Sequence, residues 1–325
     1  MPPAEQDAGS AERILTPAAL RDWPLPVPEG DKNSRGRVLV VGGARGAPGA
    51  AMLAGQAALR VGAGVLTLAV GESVAGPVAA AVPEAGVLWL PETASGTVAG
   101  DCLAAIERGL NGVAAVLVGP GLDDIDETAA LIETVVGALD PAVPVVLDAY
   151  GIGALGSLPG RTRAALADRL LLTPNHTEVD RLLAAADDHG DGSDDGAASD
   201  DGAASDDGAA SNNGAGSDDG DPRQRLAERY RAVLSSDNHI VTPAGERWLA
   251  PAGHSGLGTS GSGDVLAGAL AGLLARGVPA AQAACWATYL HAAAGDRLAA
   301  RVGSLGFLAR ELLEELPLVL TELQA

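Results

Sequence analysis

Residues 37–70 read "RVLVVGGARGAPGAAMLAGQAALRVGAGVLTLAV", and the architecture follows from their pattern. The run at 37–43 is apolar until glycines end it, as expected of a strand buried on both faces. Residues 48–64 have a helical pattern, with Pro48 suited to a first turn and glycines at the close. A second apolar run, "VLTLAV" at 65–70, follows at once. Strand, crossover helix and strand in this order predict parallel pairing. The same kind of run recurs as "AAVLVG" (114–119), "VPVVLDA" (143–149) and "LLLT" (170–173), each near a helical segment. Strands without polar alternation imply a mostly parallel sheet covered on both faces by helices. Near the end, "NHIVTPAGERWLA" (238–250) reads as a hairpin turning at Pro243–Gly245, which predicts an antiparallel pair at the sheet edge. Helices from 261 onward complete one α/β domain over residues 1–325.

One tract interrupts this alternation. Residues 187–222 repeat the unit SDDGAA with degenerate copies at the end, and they contain no large apolar side chain. Such a segment has nothing to offset its ordering entropy, so it is expected to be a disordered, solvated insert. Its aspartate pairs lack the bidentate glutamate of an EF-hand loop and the nonapeptide of calcium-binding β-rolls. The strand and helix pattern resumes after it, so it marks no domain boundary.

Composition narrows the partners. The chain has 325 residues, 47% hydrophobic, and only four Trp, three Tyr and one Phe, so its core must be built from Ala, Val and Leu. Its net charge is −21, and Lys32 is the sole lysine. A surface this acidic repels nucleic acid and anionic membranes. Acid-rich, lysine-poor chains suit concentrated salt, where screening makes the charge tolerable; the acidic tract alone accounts for part of that charge. Cys102 and Cys285 lie far apart without metal-ligand spacing and are read as two buried thiols of a reducing compartment. The first twenty residues lack a basic region followed by an apolar run, and no apolar stretch is long enough to span a bilayer. A soluble, cytoplasmic protein is expected.

In open α/β sheets, ligands sit outside the carboxyl ends of the strands. The residues there are "GGARGAPGA" after 37–41, "GPGLDD" after 114–118, Asp148 in "LDAYG" and "TPNHTE" after 170–172. Each is weak alone, but together they outline a ligand cleft. The stretch "GTSGSGDVLAGALAGLLARG" (258–277) adds a glycine-rich turn running straight into an apolar helix. Backbone N–H groups of Ser260, Gly261, Ser262 and Gly263 would lie free at the positive end of that helix and form an anion hole. Asp264 could take a proton from a hydroxyl there; the bland alternative is a carboxylate that only complements the helix start. His291, alone on an apolar helix, is expected to pack or cap. Trp23, Trp89, Trp248 and Trp286 are read as packing or edge residues.

"SGSGDVLAG" resembles the anion-hole signature of ribokinase-like small-molecule kinases. The wider set, "APGAAMLAGQAALRVGAGVLTLAV", "VGPGLD", "LDAYGIGAL", "LTPNHTEVDRLL" and "TYLHAAAGDRLA", resembles the ADP-dependent NAD(P)H-hydrate dehydratases over about residues 30–320 apart from the insert. The resemblance implies a ribokinase-like three-layer sandwich and a repair reaction. The ring hydroxyl of hydrated NADH or NADPH is phosphorylated from ADP, AMP is released, and phosphate departs to restore the cofactor. It implies that Ala50, Gly121, Asn175 and Asp264 contact the hydrated substrate, with Asp264 as base. Ser235, Ser260, Gly261, Ser262 and Gly263 would serve the nucleotide. Mg²⁺ would bridge the nucleotide phosphates through water, without an all-protein cage. A homo-oligomer, specifically a homotetramer, is implied as well. Three departures stand out. Asn175 occupies the place of the family's histidine, with His176 one residue on. Tyr150 replaces the second aspartate of LDAD. Ser235 stands where a phosphate-contacting lysine is expected, leaving an arginine or K⁺ to take its role. Rival readings are a vitamin-precursor kinase for a hydroxyethylthiazole or hydroxymethylpyrimidine, and a nucleotide-binding module without turnover.

Overall fold

The computed structural model describes residues 11–27, 30–188 and 220–325. Its strands are β1 (Arg13–Ile14), β2 (Arg37–Val41), β3 (Val65–Gly71), β4 (Ala85–Leu90), β5 (Ala115–Val118), β6 (Val145–Leu147), β7 (Leu170–Leu172), β8 (Ala232–Ser236), β9 (His239–Val241) and β10 (Arg247–Leu249). They form one sheet in the order β1-β10-β9-β8-β7-β6-β5-β2-β3-β4. The seven strands from β8 to β4 pair parallel throughout. The β8–β9 and β9–β10 pairs are antiparallel. The helices are α1 (Pro17–Arg21), α2 (Pro48–Arg60), α3 (Glu72–Ala81), α4 (Leu103–Leu110), α5 (Ile125–Ala138), α6 (Tyr150–Gly153), α7 (Gly160–Leu166), α8 (His176–Asp188), α9 (Pro222–Tyr230), α10 (Ser262–Ala275), α11 (Ala280–Val302) and α12 (Ala309–Gln324).

Alternation along the strands sorts the core into two layers. In β2, Val38 and Val40 join a cluster with Ala54 and Ala58 of α2, Leu270 of α10, Trp286 of α11 and Leu316 of α12. Leu39 and Val41 face the other side, with Ile106 of α4, Leu131 and Val135 of α5, Leu166 of α7, Val179 of α8 and Leu226 of α9. Both faces are therefore dry, which is why the strands carry no polar alternation. The result is the expected three-layer α/β sandwich. Small residues let the first helical layer close tightly. A Cβ on Gly268 would lie 2.0 Å from the carbonyl oxygen of Ala54, so α10 and α2 touch backbone to backbone.

Several boundaries differ from the sequence reading. The hairpin at 238–250 forms, but it is not the outermost element, because β1 pairs parallel with β10 beyond it. Trp23 stacks on Trp248 with ring centroids 6.0 Å apart, which secures this N-terminal addition. The opposite edge is β4, a strand not marked in the sequence, where Trp89 is 60% exposed. β8, of which the sequence reading names only Ser235, turns into β9 through Asp237 and Asn238, both at positive φ. The acidic tract also contracts at its ends. Asp187 and Asp188 extend α8, while Asp221 caps α9 by accepting from the Arg223 N–H at 2.9 Å. The expected disorder of the insert concerns residues 189–219, which lie outside the described ones. Cys102 and Cys285 are both buried and unbridged. Among the described residues no helix is long and apolar enough to cross a membrane.

Candidate functional site

The carboxyl ends of β2, β5, β6, β7 and β8 open on one edge of the sheet, and the start of α10 faces the same edge through its packing on α2. The loops after β2 and β5 are tied together. The Gly43 N–H donates to the Pro120 oxygen and the Ala44 N–H to the Gly121 oxygen, both at 2.8 Å. Gly121 has φ +72°, and a Cβ there would lie 2.2 Å from the Ala47 oxygen and 3.2 Å from the Ala50 Cβ. Only glycine permits this approach, and it brings Gly121 and Ala50 side by side. Gly261 adjoins the same helix, since a Cβ on it would meet Leu53 of α2 at 2.6 Å.

At the next strand end, Asp148 is 6% exposed. The Thr173 hydroxyl, from the end of β7, donates to Asp148 Oδ1 at 2.8 Å. Burial pushes the Asp148 carboxyl up to about 6, opposed by that hydrogen bond. Glu178 is pushed up to about 7 by burial, with the negative charge of Asp148 adding to it and the Asn175 N–H opposing. Asp264 is likewise raised to about 7, first by burial and then by the charge of Asp148. The charge of Asp148 thus acts on both Glu178 and Asp264, and all three carboxyl groups are raised toward neutrality. The sequence puts Asp148 in "LDAYG" and the stretch "TPNHTE" at the expected cleft, but it assigns no catalytic or binding role to Asp148 or Glu178. Thr173 was missed because a buried threonine has no sequence signature of its own.

The glycine-rich turn differs in detail from the expected anion hole. Gly261 caps α10 with φ +86° and ψ −1°, and no side chain caps this helix start. However, the Ser262 N–H is already used, donating to the Thr259 oxygen at 3.1 Å. The left-handed Gly261 closes a turn over 259–262, and that turn consumes one donor of the four expected to be free. Ser260 and Gly263 are exposed, and a side chain on Gly263 would meet nothing within 4 Å. The Ser262 hydroxyl lies 2.8 Å from His291 Nε2.

Asn175 and Glu178 form a reciprocal cap at the start of α8. The Asn175 N–H donates to Glu178 Oε2 at 2.8 Å, and the Glu178 N–H donates to Asn175 Oδ1 at 2.9 Å. His176 points instead toward Asp180 and Asp237, at 3.7 and 3.9 Å. Ser235, at the end of β8, is 3% exposed. Its hydroxyl is paired with Thr288 Oγ1 at 2.7 Å. Neighbouring Ser236 has a buried hydroxyl without a hydrogen-bond partner. Among the described residues no three His, Cys, Asp or Glu side chains converge as a metal-binding group.

Solved structures share this fold. A ribokinase-like superfamily protein from Enterococcus faecalis V583 superposes with a TM-score of 0.71 at 21% identity, covering 97% of each chain. An ADP/ATP-dependent NAD(P)H-hydrate dehydratase from Bacillus subtilis, co-crystallised with ATP and Mg²⁺, gives 0.65 at 23% identity over 96% of this chain and 99% of that one. The fold is that of the ribokinase-like proteins. The profile of the NAD(P)H-hydrate dehydratase family matches residues 38–318. A Xanthomonas campestris ADP-dependent (S)-NAD(P)H-hydrate dehydratase is 42% identical over 97% of this chain and 98% of its own. The chain belongs to the NAD(P)H-hydrate dehydratase family. It spans about half the length of a bifunctional NAD(P)H-hydrate repair enzyme from Moorella thermoacetica, 35% identical over 96% of this chain and 54% of that protein.

Proposed function

We propose that this chain restores hydrated NADH and NADPH, in the S-form, by ADP-dependent dehydration. The observation that carries the reading is Asp264, a half-buried carboxyl raised to about 7 in the first turn of a helix without a side-chain cap, and within the field of the buried Asp148. Asp264 would accept the proton of the ring hydroxyl as its oxygen attacks the terminal phosphorus of ADP, and AMP leaves. The carbon–oxygen bond then breaks with phosphate as leaving group, a proton departs from the neighbouring carbon, and the ring double bond returns. Hydroxide leaves poorly and phosphate leaves well, so the phosphoryl step is what makes the elimination feasible. The open start of α10 would stabilise phosphoryl charge as it shifts.

Ala50 and Gly121 are adjacent and line the edge on which the nicotinamide end would rest. Asn175, already engaged as a cap, would contact substrate through atoms the cap leaves over. Ser235 offers no cation in place of lysine, so nucleotide affinity would rest on the turn at 260–263 and on Mg²⁺. The fit for the ion is partial: the acidic edge suits a cation, but its protein ligands are too few for a cage, so Mg²⁺ would arrive on the ADP phosphates. When bound, it neutralises phosphate charge. A homo-oligomeric assembly belongs to the same proposal and rests on the family resemblance; a cytoplasmic setting belongs to it too and rests on the two unbridged, buried thiols.

Incubation with ADP, Mg²⁺ and hydrated NADH tests the reading by the absorbance of the reduced nicotinamide. Recovery with stoichiometric AMP is expected. ADP binding without recovery indicates a module without turnover, and phosphorylation of a thiazole or pyrimidine alcohol instead indicates a vitamin-precursor kinase.

A further inference from the structure

α11 is mostly apolar, yet three of its polar side chains, at positions 288, 291 and 296, each bond to a segment at the nucleotide edge. Thr288 pairs with Ser235 at the end of β8, with the two hydroxyls 2.7 Å apart. His291, 8% exposed, meets the Ser262 hydroxyl at 2.8 Å. Asp296 accepts from the Gly253 N–H at 3.0 Å. Between them, Gly295 leaves room for Leu257, which a Cβ would otherwise meet at 2.6 Å. Asn238, in the β8–β9 turn, donates to the Ala252 oxygen at 2.9 Å and closes the same group. Residues 288, 291, 292, 295 and 296 lie on one helical face. That face therefore fixes the strand end and the whole approach to the glycine-rich turn in a single frame.

We propose that His291 is a positioning residue of the ADP site, acting through the Ser262 hydroxyl to hold the 259–263 turn in its phosphate-binding shape. The inference rests on the functional reading above. Among the described residues no other side-chain hydrogen bond anchors that turn: Gly261 contributes only backbone, Ser260 and Gly263 are exposed, and no side chain caps α10. Burial holds the imidazole down at about 4. It is neutral across the working range and serves as a fixed hydrogen-bonding partner.

The test measures KM for ADP and for hydrated NADH separately in His291→Leu, His291→Gln and Ser262→Ala, alongside melting temperatures. His291→Leu should raise the ADP KM about tenfold, in line with loss of one buried hydrogen bond, and change the hydrate KM less than about twofold. Glutamine places a polar group near the position of Nε2 and should recover most of the loss. Ser262→Ala should resemble His291→Leu, and the double variant should be no worse than the weaker single one. Ser262→Ala also keeps the test decisive if leucine at 291 fails to fold. An unchanged ADP KM in a folded variant overturns the proposal. So does an equal rise in both KM values with lowered melting temperature and no rescue by glutamine, which is the pattern of a purely structural histidine. If the wild-type protein uses no ADP, the functional reading falls and this inference falls with it.

Discussion

Asp264 stands at a place where a charge is costly unless it is used. Asp264→Asn preserves the shape of the turn and leaves the helix start open, so nucleotide binding should persist. Turnover should fall by about 10²-fold or more, because a positioned general base contributes roughly 10² to 10⁴. Turnover near that of the wild type would leave Asp264 as a helix-start carboxylate only. The pH profile carries the same assignment. A base raised to about 7 should make kcat fall with decreasing pH through that value. Stability should move the other way. The folded values of Asp148, Glu178 and Asp264, about 6, 7 and 7, exceed the ordinary 3.8, 4.5 and 3.8. Between those limits the native state holds more protons than the unfolded chain, so their contribution is fully present at low pH and is lost as pH rises through 6 to 7. At pH about 8, beyond these folded values, Asp264→Asn should therefore melt no lower than wild type. A large drop in melting temperature would show that the carboxylate is structurally required.

At the scale of elements, the contact between α2 and α10 governs where Ala50, Gly261 and Asp264 sit relative to one another. Gly268 and Gly272 let the helices approach until a Cβ would fall 2.0 Å from the Ala54 oxygen or 2.6 Å from the Ala58 oxygen. Neither neighbour is a flexible side chain, so the backbone itself would have to move. Gly268→Val should cost about 3 kcal/mol or more, lowering Tm by roughly 5–10 °C. It should also raise KM for substrate by displacing the start of α10. A calorimetric scan with steady-state kinetics on the same preparation checks both. Pattern reading located these two helices because both are long and apolar with clear start signals. It passed over β4, an edge strand Ala85–Leu90 in which Leu90 alone is fully buried, and β1, which consists of two residues. Short edge strands owe their form to pairing with a neighbour, and a local window cannot show that partner.

For the whole molecule, the large negative charge acts as a field. Self-repulsion among 42 acidic residues opposes compaction, with only 21 basic residues to offset it. Melting temperature should therefore rise as KCl increases from about 0.1 M to about 1 M, as the Debye length falls from about 10 Å to 3 Å. A flat response would argue against adaptation to salt. Residues 190–218 carry eight of those acids and no large apolar side chain. Replacing them with a short Gly/Ser linker should leave Tm and turnover nearly unchanged, because composition gives them nothing to bury. Asp221 must be kept: it caps α9 and pairs with Arg223 and Arg247 at 3.0 and 3.5 Å. Unfolding or inactivation after this replacement would show that the tract supports the core.

By sequence alone, the parallel sheet, its two helical layers and the catalytic candidate were determined, because each depends on order along the chain. Apolar runs such as 37–41 and 65–70 specify strands buried on both faces, and glycines leading into Asp264 specify an exposed helix start. Tertiary structure alone decided how the polar groups are partnered. Ser235 and Ser262 read as nucleotide ligands in one dimension, yet their hydroxyls turn to Thr288 and His291, more than twenty residues further along the chain. Asp148, Glu178 and Asp264 are raised above their ordinary values by burial, and the charge of Asp148 adds to the rise at Glu178 and Asp264. Burial and through-space fields depend on distance in the folded molecule, and the strand order that sets those distances is not written in any local pattern.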